Sequence, residues 1–266
     1  MVIYEVRNLK FSYGKNRVLK NINFEIYKGE FVGIVGPNGS GKTTFLKVLS
    51  KILISFDGYV FYKGKDLKKI RNIDYAKEVA YLPSEIKITF NIDVFDFLTL
   101  GRFPFLGRFR KEKEEIIEEV GIKLDIKKFF KKKINELSEG EKQRIYIAQI
   151  IIQNPEVILL DEPTSHLDIG YQFQIMDILK KLNEKGITII GIFHDLNLAS
   201  CYCSKLILFK NGEIYKKGNV EEVLTYQNIE NVYNTKVLVY KNPFTKKINV
   251  FGLPSYLLEN KNENYL

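Results

Sequence analysis

One glycine-rich segment carries the residue types that a nucleotide phosphate site requires. It fits the pattern G-x-x-x-x-G-K-[ST] and reads Gly36-Pro37-Asn38-Gly39-Ser40-Gly41-Lys42-Thr43, with Thr44 directly after it. The glycines let backbone N–H groups turn toward one anion, and the N-terminus of a following helix adds positive charge. Lys42 can reach the β- and γ-phosphates, and the Thr43 hydroxyl can ligate Mg²⁺. This phosphate loop (residues 36–43) predicts a nucleoside triphosphate site; a glycine-rich turn that matches by chance is the alternative.

A pair of acids could supply the metal ligand and the water-activating group that the phosphate loop lacks. Asp161 and Glu162 follow the apolar run 157–160. Such a run predicts a buried strand that ends at the ligand-binding edge of an α/β sheet. We expect Asp161 to hold Mg²⁺, through water, and Glu162 to position or deprotonate the attacking water. An acidic helix cap is the alternative explanation for the same two residues.

The elements that must hold these groups alternate between buried strands and helices. Apolar runs predict strands at 31–35, 157–160 and 187–193, and helical periodicity predicts helices at 43–53 and 171–184. This alternation favours a parallel sheet in an α/β core. Residues 1–30 instead alternate apolar and polar positions, which predicts an N-terminal antiparallel β-subdomain.

Residues 86–154 are interpreted as a helical subdomain inserted into that core. They show helical periodicity and charge, with a charged helix at 111–120 and a helix with one apolar face at Glu139–Gln153. We therefore predict a single domain over residues 1–266, in which 1–85 and 155–266 form the nucleotide-binding core. The tail after Gly218 predicts a mixture of short helix and strand.

Composition limits the class of protein. The 266 residues are 45% hydrophobic and 27% charged, which is typical of a globular chain and excludes intrinsic disorder. Lysines and arginines exceed acids by 41 to 32, a net charge of +9 that suits nucleic acid, anionic lipid or a phosphate-bearing ligand. Two cysteines are too few for a disulfide framework. Uncharged runs fall short of the roughly 20 apolar residues of a membrane-spanning helix, and the N-terminus lacks a signal-peptide pattern. We therefore expect a cytosolic chain.

Together these motifs resemble the ATP-binding subunits of ABC transporters. The diagnostic element is Leu137-Ser138-Glu139-Gly140-Glu141, which looks like the family's LSGGQ signature loop and opens the helix before the Asp161 strand. The resemblance implies a P-loop NTPase (RecA-like) fold, ATP and Mg²⁺ as ligands, and ATP hydrolysis. It also implies an ATP-sandwich dimer, in which Ser138 and Gly140 of one copy face the γ-phosphate held by the second copy. A serine-capped helix, S-x-x-E, is the alternative.

Three further segments are similar to family elements. Phe11-Ser12-Tyr13-Gly14 looks like the adenine-stacking loop, which implies that Tyr13 lies under the base. Ser165-His166-Leu167-Asp168 resembles the loop that crosses the dimer interface. His194 follows the predicted strand 187–193 and matches the histidine that touches the γ-phosphate. The resemblance therefore implies that Lys42, Glu162 and His194 carry the catalysis.

One element departs from the family. The segment Tyr81-Leu82-Pro83-Ser84-Glu85 has Ser84 where the family has a glutamine that reaches Mg²⁺ and the attacking water. The serine hydroxyl is too short to span the same gap. We therefore expect Ser84 to serve the metal only if the backbone moves inward or a second water bridges the gap. Glu85 is the alternative ligand. We also expect slow hydrolysis of ATP.

The class of transporter is indicated by a looser motif. Gly101-Arg102-Phe103-Pro104 resembles the GR-x-P segment of importers of iron–siderophore complexes, haem and cobalamin. This implies an importer subunit at the cytoplasmic face of the membrane, with two membrane-spanning permease subunits and, indirectly, a substrate-binding protein. Zinc or manganese importers and non-transport ABC ATPases are the alternatives. Residues 45–136 lack the long heptad arms of DNA-repair ATPases, so we expect no nucleic acid partner.

Overall fold

The structure is a computed structural model, and it describes residues 1–89, 91–105, 110–254 and 256. Its strands are β1 (Val2–Tyr13), β2 (Asn16–Tyr27), β3 (Phe31–Val35), β4 (Asp57–Tyr62), β5 (Lys65–Asp66), β6 (Val79–Leu82), β7 (Val157–Asp161), β8 (Thr188–Ile192), β9 (Lys205–Lys210), β10 (Glu213–Asn219), β11 (Val237–Lys241) and β12 (Ile248–Gly252). Its helices are α1 (Lys42–Leu49), α2 (Asn72–Glu78), α3 (Val94–Thr99), α4 (Arg110–Lys123), α5 (Glu139–Gln153), α6 (Ile169–Glu184), α7 (Leu196–Tyr202), α8 (Val220–Val223) and α9 (Tyr226–Tyr233).

The N-terminal residues form the antiparallel sheet that their alternating pattern predicts. Its strand order is β2-β1-β4-β5, and Val6 pairs with Phe24 in β2 and with Val60 in β4. The apolar side chains of one face are buried against α1 and against one face of the second sheet. This packing holds the β-subdomain directly beside the helix that follows the phosphate loop.

The second sheet forms the centre of the core. Its strand order is β10-β9-β3-β8-β7-β6, with β10 antiparallel at the edge and the other strands parallel. The residues of β3, β7 and β8 are all buried, as their apolar runs predict. Along β7, Val157 and Leu159 face the antiparallel sheet, whereas Ile158 and Leu160 face the helices. A covered sheet with both faces apolar is the arrangement of an α/β core.

The end of helix α1 and the presence of strand β9 differ from the expectations. The helix predicted at residues 43–53 ends at Leu49, and Lys51 has a left-handed φ of 63°, which terminates the helical conformation. The strand β9 is not among the predicted strands, although its four central residues are buried. Its partner β3 lies far away in sequence, so local pattern carries little information about the pairing.

The helix α5 packs on β6, on the face of the parallel sheet opposite the antiparallel sheet, and α3 and α4 pack against α5. Arg102 is buried, and its Nη1 donates to the carbonyl oxygen of Ile152 at 3.1 Å, near the C-terminus of α5. Gln153 Nε2 donates to the carbonyl oxygens of Ala76 and Val79, at 2.6 and 3.1 Å. Arg102 thereby fixes the GR-x-P segment to the end of α5, and Gln153 fixes the end of α5 to the junction where α2 ends and β6 begins.

The remaining elements complete the outer layer. The hairpin β11–β12 docks on α7, where Asn197 exchanges hydrogen bonds with the backbone N–H and carbonyl of Val250 at 2.7 and 3.2 Å. Within the described residues, no helix is both long enough and apolar enough to cross a membrane.

Candidate functional site: a nucleotide site at the edge of the parallel sheet

The phosphate loop connects β3 to α1 through backbone conformations that require glycine. Gly36 has a φ of 146°, and a Cβ atom there would overlap the carbonyl oxygen of Phe209 in the neighbouring strand β9. Gly41 has a φ of 101° and precedes α1 without any side-chain cap. The first N–H groups of α1 are therefore left for another acceptor, which is the condition for anion binding at a helix N-terminus.

Lys42 is held over this loop. Its side chain is buried, and its Nζ donates to the carbonyl oxygens of Gly36 and Pro37, at 2.8 Å in each case. Burial lowers the pKa of Lys42, while the charges of Glu162 and Asp161 oppose that shift. A phosphate would replace two neutral acceptors by charged ones, and such hydrogen bonds are stronger. Lys42 is thus placed to bind an anion in the loop.

Asp161 and Thr43 form an oxygen-rich corner beside the loop. The Thr43 hydroxyl donates to Asp161 Oδ1 at 3.2 Å. Asp161 Oδ2 is buried and has no hydrogen-bond partner among the residues that the structure describes. Burial raises the pKa of Asp161, and the charge of Glu162 adds to that effect.

These donors fit Mg²⁺. The ion takes oxygen ligands and is bound in proteins by one or two carboxylates together with substrate phosphates. The described part of the chain contains no group of three or more His, Cys, Asp and Glu side chains that could enclose a metal. Asp161 supplies one buried carboxylate with an oxygen unpartnered among the described residues, beside the Thr43 hydroxyl and the phosphate loop. This matches a Mg²⁺ site in which the protein provides few ligands and the phosphates provide others.

Glu162 and His194 meet at the ends of adjacent strands. The Asp161–Ile192 register of β7 and β8 brings the residues after both strands together, and His194 Nε2 lies 2.6 Å from Glu162 Oε1. Ser165 Oγ donates to Glu162 Oε2 at 3.1 Å. Glu162 has a left-handed φ of 54°, a conformation that costs energy for a non-glycine residue. Ser165 therefore orients one carboxylate oxygen, and His194 lies against the other.

The signature loop (residues 137–141) is a capped helix start. Ser138 Oγ accepts from the N–H of Glu141 at 3.4 Å, and the Glu141 carboxylate accepts from the N–H of Ser138 at 2.8 Å. The capping alternative considered for this sequence is thus present. The hydrogen bonds of Ser138 within the described residues all lie inside the signature loop and α5, so its role at a γ-phosphate remains a prediction.

Tyr171 and Gln143, which the sequence analysis missed, connect the signature loop to the residues around Glu162. A Cβ atom on the buried Gly140 would lie 2.7 Å from the ring of Tyr171, so only glycine fits beneath that ring. Gln143 Nε2 donates to the carbonyl oxygen of Pro163 at 2.7 Å, next to Glu162. The sequence gives no conspicuous signal for the Gly140–Tyr171 or the Gln143–Pro163 contact, because each joins segments that are separated by about one helix and one strand.

Tyr13 and Ser84 lie at the periphery of the site. Tyr13 is half exposed at the end of β1, and its ring packs edge-on against Phe11 with centroids 4.9 Å apart. Ser84 is exposed just after β6, and no described residue hydrogen-bonds to its hydroxyl. The Glu85 carboxylate lies 3.4 Å from Lys87 Nζ. Among the described residues, neither Ser84 nor Glu85 hydrogen-bonds to Asp161, whose Oδ1 accepts from Thr43, so a metal role for either remains a prediction.

Comparison with known proteins identifies the family. The family model described as ABC transporter matches residues 19–165. The uncharacterized ABC transporter ATP-binding protein YvrA of Bacillus subtilis is 40% identical over 238 residues, 88% of this chain and 54% of that protein, so the chain spans about half of its length. The iron(3+)-hydroxamate import ATP-binding protein FhuC of the same organism is 35% identical over 243 residues, 90% of each chain. A solved dimeric ATP-binding cassette, bound to ADP and Pi in a post-hydrolysis state, has a TM-score of 0.74 at 28% identity, covering 82% of this chain and 99% of that one.

The chain therefore belongs to the ABC transporter family, as one of its ATP-binding subunits. It is an ATPase with the fold predicted for it, a P-loop NTPase core that carries an antiparallel β-subdomain and a group of helices. The resemblance drawn from the signature loop and the phosphate loop is thus confirmed at the level of the family.

Proposed function

We propose that this chain is the ATP-hydrolysing subunit of an importer for an iron–siderophore complex. The observation that carries ATP hydrolysis is the Glu162–His194 contact of 2.6 Å, beside Asp161 and the phosphate loop. The relative FhuC, which is named for iron(3+)-hydroxamate import and shares 35% of its residues, supports the class of cargo. The GR-x-P segment supports the same group.

In the proposed reaction, the phosphate loop and Lys42 bind the triphosphate and neutralise charge that develops on the transferred phosphoryl group. Glu162 orients a water molecule and accepts its proton as the water oxygen bonds to the γ-phosphorus and the bond to the ADP oxygen breaks. Ser165 would hold the Glu162 carboxylate in position for that proton transfer, and His194, which lies 2.6 Å from that carboxylate, would also touch the γ-phosphate. Thr43 and Asp161 would hold Mg²⁺, which supplies positive charge at the β- and γ-phosphate oxygens when bound.

The assembly that we propose is a dimer of this chain on two membrane-spanning permease subunits. Ser138 and Gly140 of each copy would complete the site on its partner, and Tyr13 would stack on the adenine. Residues 1–85 and 155–266 would act as the nucleotide-binding core and 86–154 as the helical subdomain. The chain would then lie on the cytoplasmic face of the membrane and depend on a substrate-binding protein for its cargo.

The test combines hydrolysis and uptake. Cells that lack their own siderophore uptake, and that express this chain with its permease and binding protein, are given ⁵⁵Fe-labelled ferric hydroxamate. We expect uptake with the wild type and its loss with Glu162→Gln, because the amide cannot accept the proton. The purified Glu162→Gln chain should retain ATP and shift from monomer to dimer on size exclusion with ATP and Mg²⁺.

Glu221→Gln is the matched control, since Glu221 is an exposed carboxylate 3.0 Å from Lys241. It should leave hydrolysis and uptake unchanged. Uptake of zinc or manganese instead of iron would refute the cargo. Hydrolysis without copurification of a permease would favour a non-transport ATPase. Wild-type hydrolysis by Glu162→Gln would refute the assignment of the catalytic carboxylate.

A further inference from the structure

Tyr81 is placed against the candidate metal ligand by the register of two strands. In the parallel pair β6–β7, Tyr81 lies opposite Leu159 and Leu82 lies opposite Leu160. Because side chains alternate along a strand, Tyr81 points to the same face as Leu159 and Asp161. Tyr81 packs against the hydrophobic cluster that contains Leu159, as that alternation requires. Its ring therefore runs along the face that ends at Asp161.

The polar ends of these two side chains are both buried and unpartnered. The Tyr81 hydroxyl and Asp161 Oδ2 have no hydrogen-bond partner in the part of the chain that the structure describes. Asp161 Oδ1, in contrast, accepts from the Thr43 hydroxyl at 3.2 Å. A buried polar atom without a partner is unfavourable, and here a donor and an acceptor on the same face of adjacent strands both lack one among the described residues.

The chemistry of the pair suits a hydrogen bond from tyrosine to carboxylate. A tyrosine hydroxyl is protonated at neutral pH, where an aspartate carboxyl is ionised, so the hydroxyl can donate and the carboxylate can accept. A phenylalanine would fill the same apolar space, so packing alone does not explain why a hydroxyl is present at this position.

We propose that Tyr81 is a positioning residue, whose hydroxyl donates to Asp161 Oδ2 and directs Oδ1 toward Thr43 and the cation. This inference rests on the proposed function, in which Asp161 holds Mg²⁺. Hydrogen bonds of this kind orient metal ligands, and their loss typically lowers metal affinity or activity by about 10- to 100-fold. Ser84, which stands where the family has a metal-reaching glutamine, is exposed, so the orientation of the Asp161 carboxylate matters more here.

The experiment measures metal binding directly, with Mn²⁺ as the probe. The purified full chain is loaded with ADP and titrated with Mn²⁺, and free Mn²⁺ is followed by electron paramagnetic resonance. We expect Tyr81→Phe to weaken Mn²⁺ binding about tenfold. ADP binding in EDTA should be unchanged. In steady-state assays the Mg²⁺ concentration for half-maximal hydrolysis should rise more than kcat falls.

Tyr62→Phe is the matched control. Tyr62 also has a buried hydroxyl without a hydrogen-bond partner among the described residues, but it lies in the antiparallel sheet. It should bind Mn²⁺ like the wild type. In an Asp161→Asn background, Tyr81→Phe should add no further loss, because the two residues act through one interaction.

The outcomes separate this inference from the proposed function. Wild-type Mn²⁺ affinity in Tyr81→Phe, or an equal loss of ADP binding in EDTA, would overturn the positioning role. Full Mn²⁺ affinity in the single variant Asp161→Asn would instead refute the metal site itself. Thermal unfolding of each variant shows whether it is folded, and an unfolded Tyr81→Phe would mean that the hydroxyl serves stability, which also overturns the inference.

Discussion

The contact between His194 and Glu162 leads to a quantitative prediction. The two side chains meet at 2.6 Å and are 43% and 26% exposed. A hydrogen bond to a charged group contributes about 1.5–3 kcal/mol when it is shielded, and solvent exposure reduces such values toward those of surface pairs, about 0.2–1 kcal/mol. We therefore take about 1–2 kcal/mol as the contribution of His194 to orienting the carboxylate.

Loss of this contribution should lower kcat. At about 1.4 kcal/mol per tenfold change in rate, a loss of about 1–2 kcal/mol predicts a kcat that is about 5- to 30-fold lower. His194→Ala should leave ATP binding nearly unchanged, because Lys42 and the loop N–H groups bind the phosphates independently of His194. The free energy of unfolding should fall by no more than about 1–2 kcal/mol, the contribution assigned to the contact.

The assay is steady-state ATP hydrolysis by the purified chain at saturating Mg²⁺, with nucleotide affinity measured separately by fluorescence. Lys241→Ala is the control, since it removes an exposed partner of Glu221 at 3.0 Å in the C-terminal part of the chain. It should hydrolyse ATP like the wild type. If His194→Ala retains more than half of the wild-type kcat, the carboxylate does not depend on the histidine and the argument is wrong.

Two further predictions concern the phosphate loop and the departure at Ser84. Gly36→Ala should abolish nucleotide binding and lower the free energy of unfolding by about 1–3 kcal/mol, because its Cβ would overlap the Phe209 carbonyl at a left-handed φ. Gly252→Ala, which meets nothing within 4 Å, is the control, and equal thermal stability of the two variants would contradict the reasoning. Ser84→Gln should raise kcat several-fold at saturating Mg²⁺, because it removes the need for a bridging water that costs up to ~2 kcal/mol. An unchanged or lower kcat would show that serine already serves the metal.

The sequence alone determined the features that depend on short-range spacing. The phosphate loop follows a buried strand and precedes a helix, and the structure has β3 and α1 in those places. Glu139–Gln153 is helical over the predicted range, because the Ser138 capping box at its start and Asn154 in a left-handed conformation at its end are local features. The family follows from the same short motifs.

Tertiary structure decided which of these distant residues touch. The register between β7 and β8 brings Glu162 to His194, and the register between β6 and β7 brings Tyr81 toward Asp161. Strand order and register are set by packing of both sheet faces, and no residue-level pattern encodes which buried strand neighbours which. A sequence therefore indicates that a strand ends in a functional residue, whereas only the folded sheet places two such ends within hydrogen-bonding distance.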